Sequence, residues 1–139
     1  NWRYASLKML AEAAVAAYRV DHPEVVEIEG SAIDVNPKQG LGLSLVLHEL
    51  STNAAKYGAL SRQEGRLRIS WGIETVDKGQ RVRLQWQERN GPQIDAPPTE
   101  AGFGTRLIKQ AGAYELGGKV ELDFAPEGLT CTMVFSVEQ

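Results

Sequence analysis

The feature that most constrains the fold is one long run, Pro37–Tyr57, whose composition and spacing predict a helix. Asn36 is a favoured N-cap residue, and Pro37 fits the first helical position. Gly58 follows the run, and glycine is the favoured left-handed residue after a helix. At about 100° per residue the apolar side chains fall within roughly one 100° stripe. These residues are Leu43, Val46, Leu47, Leu50, Ala54 and Tyr57. The helix therefore has one face made for packing.

Weaker patterns on both sides of this helix predict the remaining elements. Helical spacing predicts further helices over 6–20 and 105–116, the latter capped by Gly117 and Gly118. Alternating or β-rich runs predict three hairpins, formed by 25–29 with 32–35, by 66–73 with 81–88, and by 119–124 with 129–137. Residues 90–104 form a long loop, a kind that is usually functional or mobile. This order predicts an α/β fold, a two-layer sandwich in which a mixed, mostly antiparallel sheet carries three helices on one face.

Composition excludes several classes of protein. The 139 residues predict one domain, and 42% apolar with 24% charged residues is typical of a globular chain. The net charge of -3 disfavours a nucleic-acid partner, and four arginines on strands 66–73 and 81–88 are expected on a solvated face. The one cysteine, Cys131, is expected in a buried strand. Because the sequence shows neither a long apolar run nor the pattern of a signal peptide, we expect a cytoplasmic protein.

Two features point to chemistry. Glu49, Asn53 and Lys56 are spaced i, i+4 and i+7, so a helix presents a carboxylate, an amide and an ammonium in a stripe of about 60°. A solvated helix face is the simpler interpretation, although asparagine is a weak helix former in an interior position. Further along, Gly102 and Gly104 precede a predicted helix start, where backbone N–H groups can cradle phosphate.

Three motifs together resemble a known pattern. Residues 48–60 read HELSTNAAKYGAL, residues 86–92 read WQERNGP and residues 102–108 read GFGTRLI. In this order and spacing they resemble the N box, the Trp-x-Glu element and the second glycine box of the HWE family of bacterial sensor histidine kinases. The resemblance covers essentially the whole chain.

The resemblance implies the Bergerat ATP-binding fold and a role for each matching residue. Asn53 is expected to hold Mg²⁺ at the phosphates of ATP, and Glu49 to assist attack by the substrate histidine. Glu88 is expected to accept the adenine amino group, in place of the aspartate of most histidine kinases. The other expected nucleotide-binding residues are Lys56, Tyr57, Gly91, Gly102, Gly104 and Thr105. His48 and Trp86 mark the family; His48 is grouped with Glu49 as a catalytic candidate, while Trp86 has no assigned step.

One position departs from the family pattern. Asn90 stands where the family commonly has a glycine, and asparagine tolerates left-handed backbone angles better than most residues.

The expected partners also follow from the resemblance. Neither His22, in a proline-bounded turn, nor His48, in the N box, fits a phosphoacceptor. We therefore expect residues 1–139 to be one excised catalytic and ATP-binding domain, with phosphoacceptor, dimerisation and sensor domains upstream. A response regulator would act downstream. The isolated domain is expected to be a monomer that binds nucleotide with little turnover. For the full-length protein a homodimer is one alternative, and the sequence leaves its oligomeric state open.

Three alternatives stay open at this point. The first is a non-catalytic nucleotide-binding or interaction module of the same fold. The second is a gyrase-like or anti-sigma-type ATPase, which normally carries aspartate at the position of Glu88 and is not expected to have Trp86. The third is a structural α/β domain in which all three motifs occur by chance.

Overall fold

Helices and strands are interspersed along the chain, and this computed structural model describes residues 4–77, 79–96 and 104–137. The helices are α1 (Leu7–Val15), α2 (Pro37–Tyr57) and α3 (Thr105–Tyr114). The strands are β1 (Ala5–Ser6), β2 (Val26–Gly30), β3 (Asp34–Val35), β4 (Arg66–Val76), β5 (Gly79–Arg89), β6 (Lys119–Ala125) and β7 (Gly128–Val137). Single turns of 3₁₀ helix occur at Ala16–Tyr18, Pro23–Val25 and Ala59–Ser61.

The main sheet has five strands in the order β2-β4-β5-β7-β6. β2 runs parallel to β4, and the other three pairings are antiparallel. β1 and β3 form a separate antiparallel pair of two residues each. α2 lies between α1 and α3 in the helical layer and contacts both. The predicted α/β sandwich, with a mixed and mostly antiparallel sheet, is confirmed.

The predicted hairpin over 25–35 is wrong. β2 pairs with β4, Ile28 lying opposite Ile69, and β3 pairs with β1. A parallel pair needs a long crossover connection, and α2 supplies it. Gly30, which lies between the two predicted strands, instead makes room for the Trp71 ring, since a Cβ at Gly30 would lie 2.1 Å from that ring.

The long helix α2 begins and ends where the sequence predicts. Asn36 and Gln39 form a reciprocal capping box: the Gln39 N–H donates to Asn36 Oδ1 at 2.8 Å, and the Asn36 N–H donates to Gln39 Oε1 at 3.2 Å. Gly58 is not a left-handed cap, because its φ is −117° and its ψ is −145°. The reason for a glycine there lies in the site described below.

The two shorter helices end earlier than predicted. α1 stops at Val15, whose φ of −119° and ψ of 8° leave the helical region, and a 3₁₀ turn follows. α3 stops at Tyr114, and Gly117 has the left-handed φ of +70° expected of a helix-terminating glycine. The other two predicted hairpins, β4–β5 and β6–β7, are confirmed with strands a few residues longer.

The core lies between the helices and the inner face of the sheet. Five of the six residues in the apolar stripe of α2 are buried, and Tyr57, the sixth, is 54% exposed. Cys131 is fully buried on β7, as predicted. The outer face carries the predicted exposed arginines, Arg66, Arg68, Arg81 and Arg83. Within the described residues, no helix has both the length and the apolar character needed to cross a membrane.

Candidate functional site

A cavity of about 420 Å³ opens where α2 ends against the sheet. Four segments form its lining: Tyr57, Gly58 and Ala59 at the end of the helix, Glu88 on β5, residues 91–96 of the following loop, and Phe124, Gly128 and Leu129 of the last hairpin. This volume is within the range of small-molecule sites, which are typically about 300–1,000 Å³ and mostly apolar with a few placed polar groups. Segments far apart in sequence therefore build one pocket.

Glu88 is the buried carboxylate of this cavity. It sits near the end of β5 on the sheet face that points toward the helices, and it is 4% exposed. The Ala59 N–H donates to its Oε1 at 3.0 Å, and the indole N–H of Trp86 donates to its Oε2 at 2.8 Å. Buried charges are found where hydrogen bonds compensate for lost water. Both oxygens of Glu88 are held in this way.

Burial sets the ionisation of this part of the molecule. The pKa of Glu88 is raised from its ordinary value of 4.5 because burial disfavours the charged form, while the hydrogen bonds from Ala59 and Trp86 act in the opposite direction. Burial also raises the pKa of the Cys131 thiol to about 12, with a further contribution from the negative charge of Glu88. Perturbed carboxyl groups in a cleft are candidates for functional sites.

Three glycines let the backbone close in around Glu88. A Cβ at Gly58 would lie 2.1 Å from Glu88 Oε1, so the glycine makes room for the carboxylate. A Cβ at Gly91 would lie 2.9 Å from main-chain atoms of Ala59, and one at Gly128 would lie 1.9 Å from the Glu88 carbonyl oxygen. The glycines of the N box and of the Trp-x-Glu element therefore pack against each other's motif.

The turn after β5 keeps a left-handed residue. Asn90 has a φ of 63° and is the single non-glycine residue with positive φ in the described segments. The tolerance expected of asparagine at this position is confirmed.

The polar stripe of α2 runs from the cavity toward the start of α3. Asn53 is buried at 4% exposure, Glu49 is half-buried, and Lys56 is exposed in the last helical turn. At 1.5 Å rise per residue, Glu49 lies about 12 Å along the helix axis from Tyr57, with Asn53 midway. One helix therefore carries polar groups outward from the cavity in a row.

Glu49 meets the second glycine box. Gly104 precedes α3 with a left-handed φ of +68°, and a Cβ there would lie 2.3 Å from Glu49 Oε2. Thr105, the first residue of α3, is buried. The N box thus contacts the Trp-x-Glu element at one end of α2 and the glycine box toward the other.

Not every candidate joins this arrangement. His48 is exposed on another side of α2 and does not line the cavity; its carbonyl accepts the Thr52 hydroxyl at 2.9 Å. Gly102 lies outside the described residues. Trp86, which had no assigned step, is fully buried and bonded to Glu88.

Sequence reasoning also missed part of the lining. Ala59, which donates to Glu88, lies within the N box but was not singled out, and its backbone N–H leaves no trace in residue type. Phe124, Gly128 and Leu129 come from the last hairpin, and no motif in the sequence singled them out as lining residues.

The donor set of α2 suits a magnesium ion held partly by phosphates. Mg²⁺ prefers oxygen ligands and usually keeps several waters, taking one or two protein side chains plus substrate phosphates. The amide oxygen of Asn53, on the rigid helix α2, is a ligand of that type. Within residues 4–77, 79–96 and 104–137, no group of three or more His, Cys, Asp or Glu side chains could hold a metal alone.

Comparison with known proteins identifies relatives of this chain. No protein-family model matches it. It is 35% identical over 130 residues to a blue-light-activated histidine kinase of Brucella ovis, and 33% identical over 129 residues to one of Brucella anthropi. Each alignment covers 93% of this chain and 26% of the relative, so the chain spans about a quarter of the length of these curated relatives.

Solved structures share the fold. A mycobacterial sensor histidine kinase, MprB, superposes with a TM-score of 0.68 at 20% identity, covering 97% of each chain. The blue-light activated histidine kinase EL346 of Erythrobacter litoralis gives a TM-score of 0.69 at 18% identity, over 96% of this chain and 41% of that one.

The fold is therefore that of the catalytic domain of histidine kinases. The similarity to the Brucella proteins confirms the resemblance to histidine kinases that the three motifs carry.

Proposed function

We propose that this chain is the catalytic domain of a sensor histidine kinase, which binds Mg·ATP and transfers the γ-phosphoryl group to a histidine on an adjoining dimerisation domain. The observation that carries the proposal is the buried Glu88 carboxylate in the cavity, with each oxygen held by one N–H donor.

The cavity would hold the adenine. An ionised carboxylate accepts hydrogen bonds only, and it has about four acceptor positions, of which the Ala59 and Trp86 N–H groups use two. The adenine amino group is a donor, so it matches the positions that are left. Tyr57, half exposed at the rim, offers its ring for packing against the nucleotide. Gly91 keeps the loop close enough to Ala59 to form the wall.

The polar stripe of α2 would serve the phosphates. Asn53 would hold the Mg²⁺ that neutralises charge on the phosphate chain, and Lys56 would add a positive charge near the rim. Thr105, Gly104 and Gly102 would shape the phosphate end, where N–H groups at the start of α3 favour anions. Glu49, which reaches Gly104, would take the proton from the attacking histidine. As in other phosphoryl transfers, rate enhancement would come mostly from positioning and charge stabilisation.

The whole protein would supply the remaining parts. Because the Brucella relatives are about four times longer than this chain, other domains accompany this one in them. We propose an upstream dimerisation domain that carries the phosphoacceptor, a response regulator as the next recipient, and a cytoplasmic location, where ATP is available.

Calorimetric titration with Mg·ATP tests the nucleotide site. We expect binding by the wild type and a loss of affinity of at least tenfold in Glu88→Gln, because an amide presents N–H donors where the carboxylate accepts. Glu74→Gln is the matched control, since Glu74 is an exposed carboxylate that pairs with Arg81 outside the cavity. A folded wild type that binds no ATP would remove the proposal.

Phosphoryl transfer is tested in the full-length protein. Removing a general base typically slows a reaction by about 10²–10⁴-fold. We therefore expect Glu49→Gln to lose phosphohistidine formation by about 10²-fold while ATP affinity stays close to wild type. Glu64→Gln, at an exposed loop carboxylate, should keep both. Nucleotide binding without transfer in the wild type would instead support the non-catalytic module.

A further inference from the structure

We infer that Trp86 is a positioning residue for Glu88: its indole N–H fixes the carboxylate as a hydrogen-bond acceptor and so favours adenine over guanine in the cavity. This inference rests on the proposed nucleotide site and extends it to the residue that selects the base.

The geometry assigns this role to one atom of the indole. Trp86 and Glu88 are two residues apart on β5, so their side chains share the inner face of the sheet. Nε1 of Trp86 lies 2.8 Å from Glu88 Oε2, and Trp86 is fully buried. A hydrogen bond from a neutral donor to an ionised acceptor is among the stronger kinds in proteins. Because packing holds the ring, the N–H points at Oε2 before any ligand arrives.

The second donor completes the selection. The Ala59 N–H holds Oε1, so each oxygen of Glu88 already has one donor directed at it. A proton on Glu88 would have to occupy one of the remaining acceptor positions, which are the ones that a ligand can reach. Adenine presents an amino donor on the edge where guanine presents the O6 acceptor. With the 6-position of the base at Glu88, the carboxylate pairs with the adenine amino group and repels guanine O6, whereas a protonated carboxyl group could donate to guanine O6.

The ionisation of Glu88 depends on the same hydrogen bond. Burial raises its pKa, and the N–H groups of Ala59 and Trp86 counter that rise. Cys131 on β7 interacts electrostatically with this carboxyl group, Tyr57 and Asp95 line the same cavity, and the Arg89 guanidinium donates to the Glu88 carbonyl. Without the indole N–H the pKa of Glu88 should rise further.

Trp86→Phe tests the inference because it keeps an aromatic ring and removes the N–H. We expect ATP affinity to fall about tenfold, which corresponds to about 1.4 kcal/mol. GTP affinity should fall less, so that the ATP-to-GTP preference shrinks, and the pH below which ATP binding weakens should move upward. Trp71→Phe is the matched control: Trp71 is 7% exposed, and its Nε1 donates to the Ser31 carbonyl at 2.8 Å, outside the cavity. It should change neither the base preference nor the pH profile.

Two outcomes would overturn the inference. One is a folded Trp86→Phe protein whose ATP-to-GTP preference and pH profile match the wild type, which would leave Trp86 a packing role only. The other is a Glu88 carboxyl group that titrates at the same pH in wild type and in Trp86→Phe. Carbon NMR of the free proteins measures this titration, so the result does not depend on ATP binding.

The wild type provides the test if Trp86→Phe fails to fold. In free wild-type protein, the Trp86 indole N–H resonance should shift as Glu88 titrates, and an indole resonance that does not shift contradicts the inference. A wild type that binds no ATP while this coupling is present would instead contradict the proposed function.

Discussion

Replacing Gly58 by alanine tests the link between the end of α2 and the Glu88 carboxylate. The added Cβ would lie 2.1 Å from Glu88 Oε1, whereas ordinary contacts begin at 3.4 Å. Its φ of −117° lies outside the left-handed region, so the expected effect comes from the space that the added Cβ occupies. Glu88 Oε1 must therefore move by more than 1 Å.

The expected magnitude follows from that displacement. The Ala59 nitrogen lies 3.0 Å from Glu88 Oε1, the usual length of such a hydrogen bond, and we expect a displacement of more than 1 Å to break it. A hydrogen bond to a charged group contributes about 1.5–3 kcal/mol. We expect the free energy of unfolding to fall by about 2 kcal/mol, within the range for overpacked sites. ATP affinity should fall at least tenfold, because the displaced carboxylate no longer matches the adenine amino group.

Denaturant unfolding and ATP titration measure the two effects, with Gly72→Ala as the control. Gly72 lies on β4, and no atom lies within 4 Å of a Cβ added there. Gly72→Ala should keep wild-type ATP affinity and should not lose stability. Equal stability and equal ATP affinity of the two variants would refute the reasoning that Gly58 makes room for Glu88.

Three further outcomes are expected. ATP affinity should fall as pH falls through the raised pKa of Glu88. In the pH window above 4.5 the folded chain holds a proton that the unfolded chain lacks, so the free energy of unfolding should decrease as pH rises through this window. Glu88→Gln should lack both trends in pH-series titrations. Cys131, buried and with a pKa of about 12, should react with a thiol reagent at neutral pH only as fast as the protein unfolds; rapid labelling of native protein would contradict its burial. Gly104→Ala should displace Glu49 and reduce phosphoryl transfer by the full-length protein at least tenfold, whereas Gly117→Ala, with the same left-handed backbone but nothing within 4 Å of the added Cβ, should lose stability alone.

Local signals explain which parts of the fold were predictable. Asn36 and Pro37 predict the start of α2. Alternating apolar and polar residues in two runs, with turn residues between them, predict the β4–β5 hairpin. These signals act over a few residues, and the structure confirms them. The pairing of β2 with β4 spans about forty residues and is made through the crossover helix, so no local pattern marks it. The closeness of the runs 25–29 and 32–35 in sequence favoured a hairpin, which is not the pairing that the structure has.

In the candidate site, too, local features were predictable from the sequence and long-range contacts were not. The spacing of Glu49 and Asn53 placed both on one face of a helix, and the structure has both on α2. The contact of Glu88 with Ala59 joins a strand to the end of a helix and depends on packing. Gly58 shows the limit best: a glycine was expected there for its backbone freedom, and the structure assigns it to the space that Glu88 occupies.

The most direct test of the nucleotide site is a crystal structure of this chain with Mg²⁺ and a non-hydrolysable ATP analogue. We expect the adenine in the cavity of about 420 Å³, with its amino group within hydrogen-bond distance of Glu88 and the metal at Asn53. Glu88 should still accept from Trp86 and Ala59. A nucleotide bound elsewhere, or an adenine in the cavity that makes no contact with Glu88, would contradict the account.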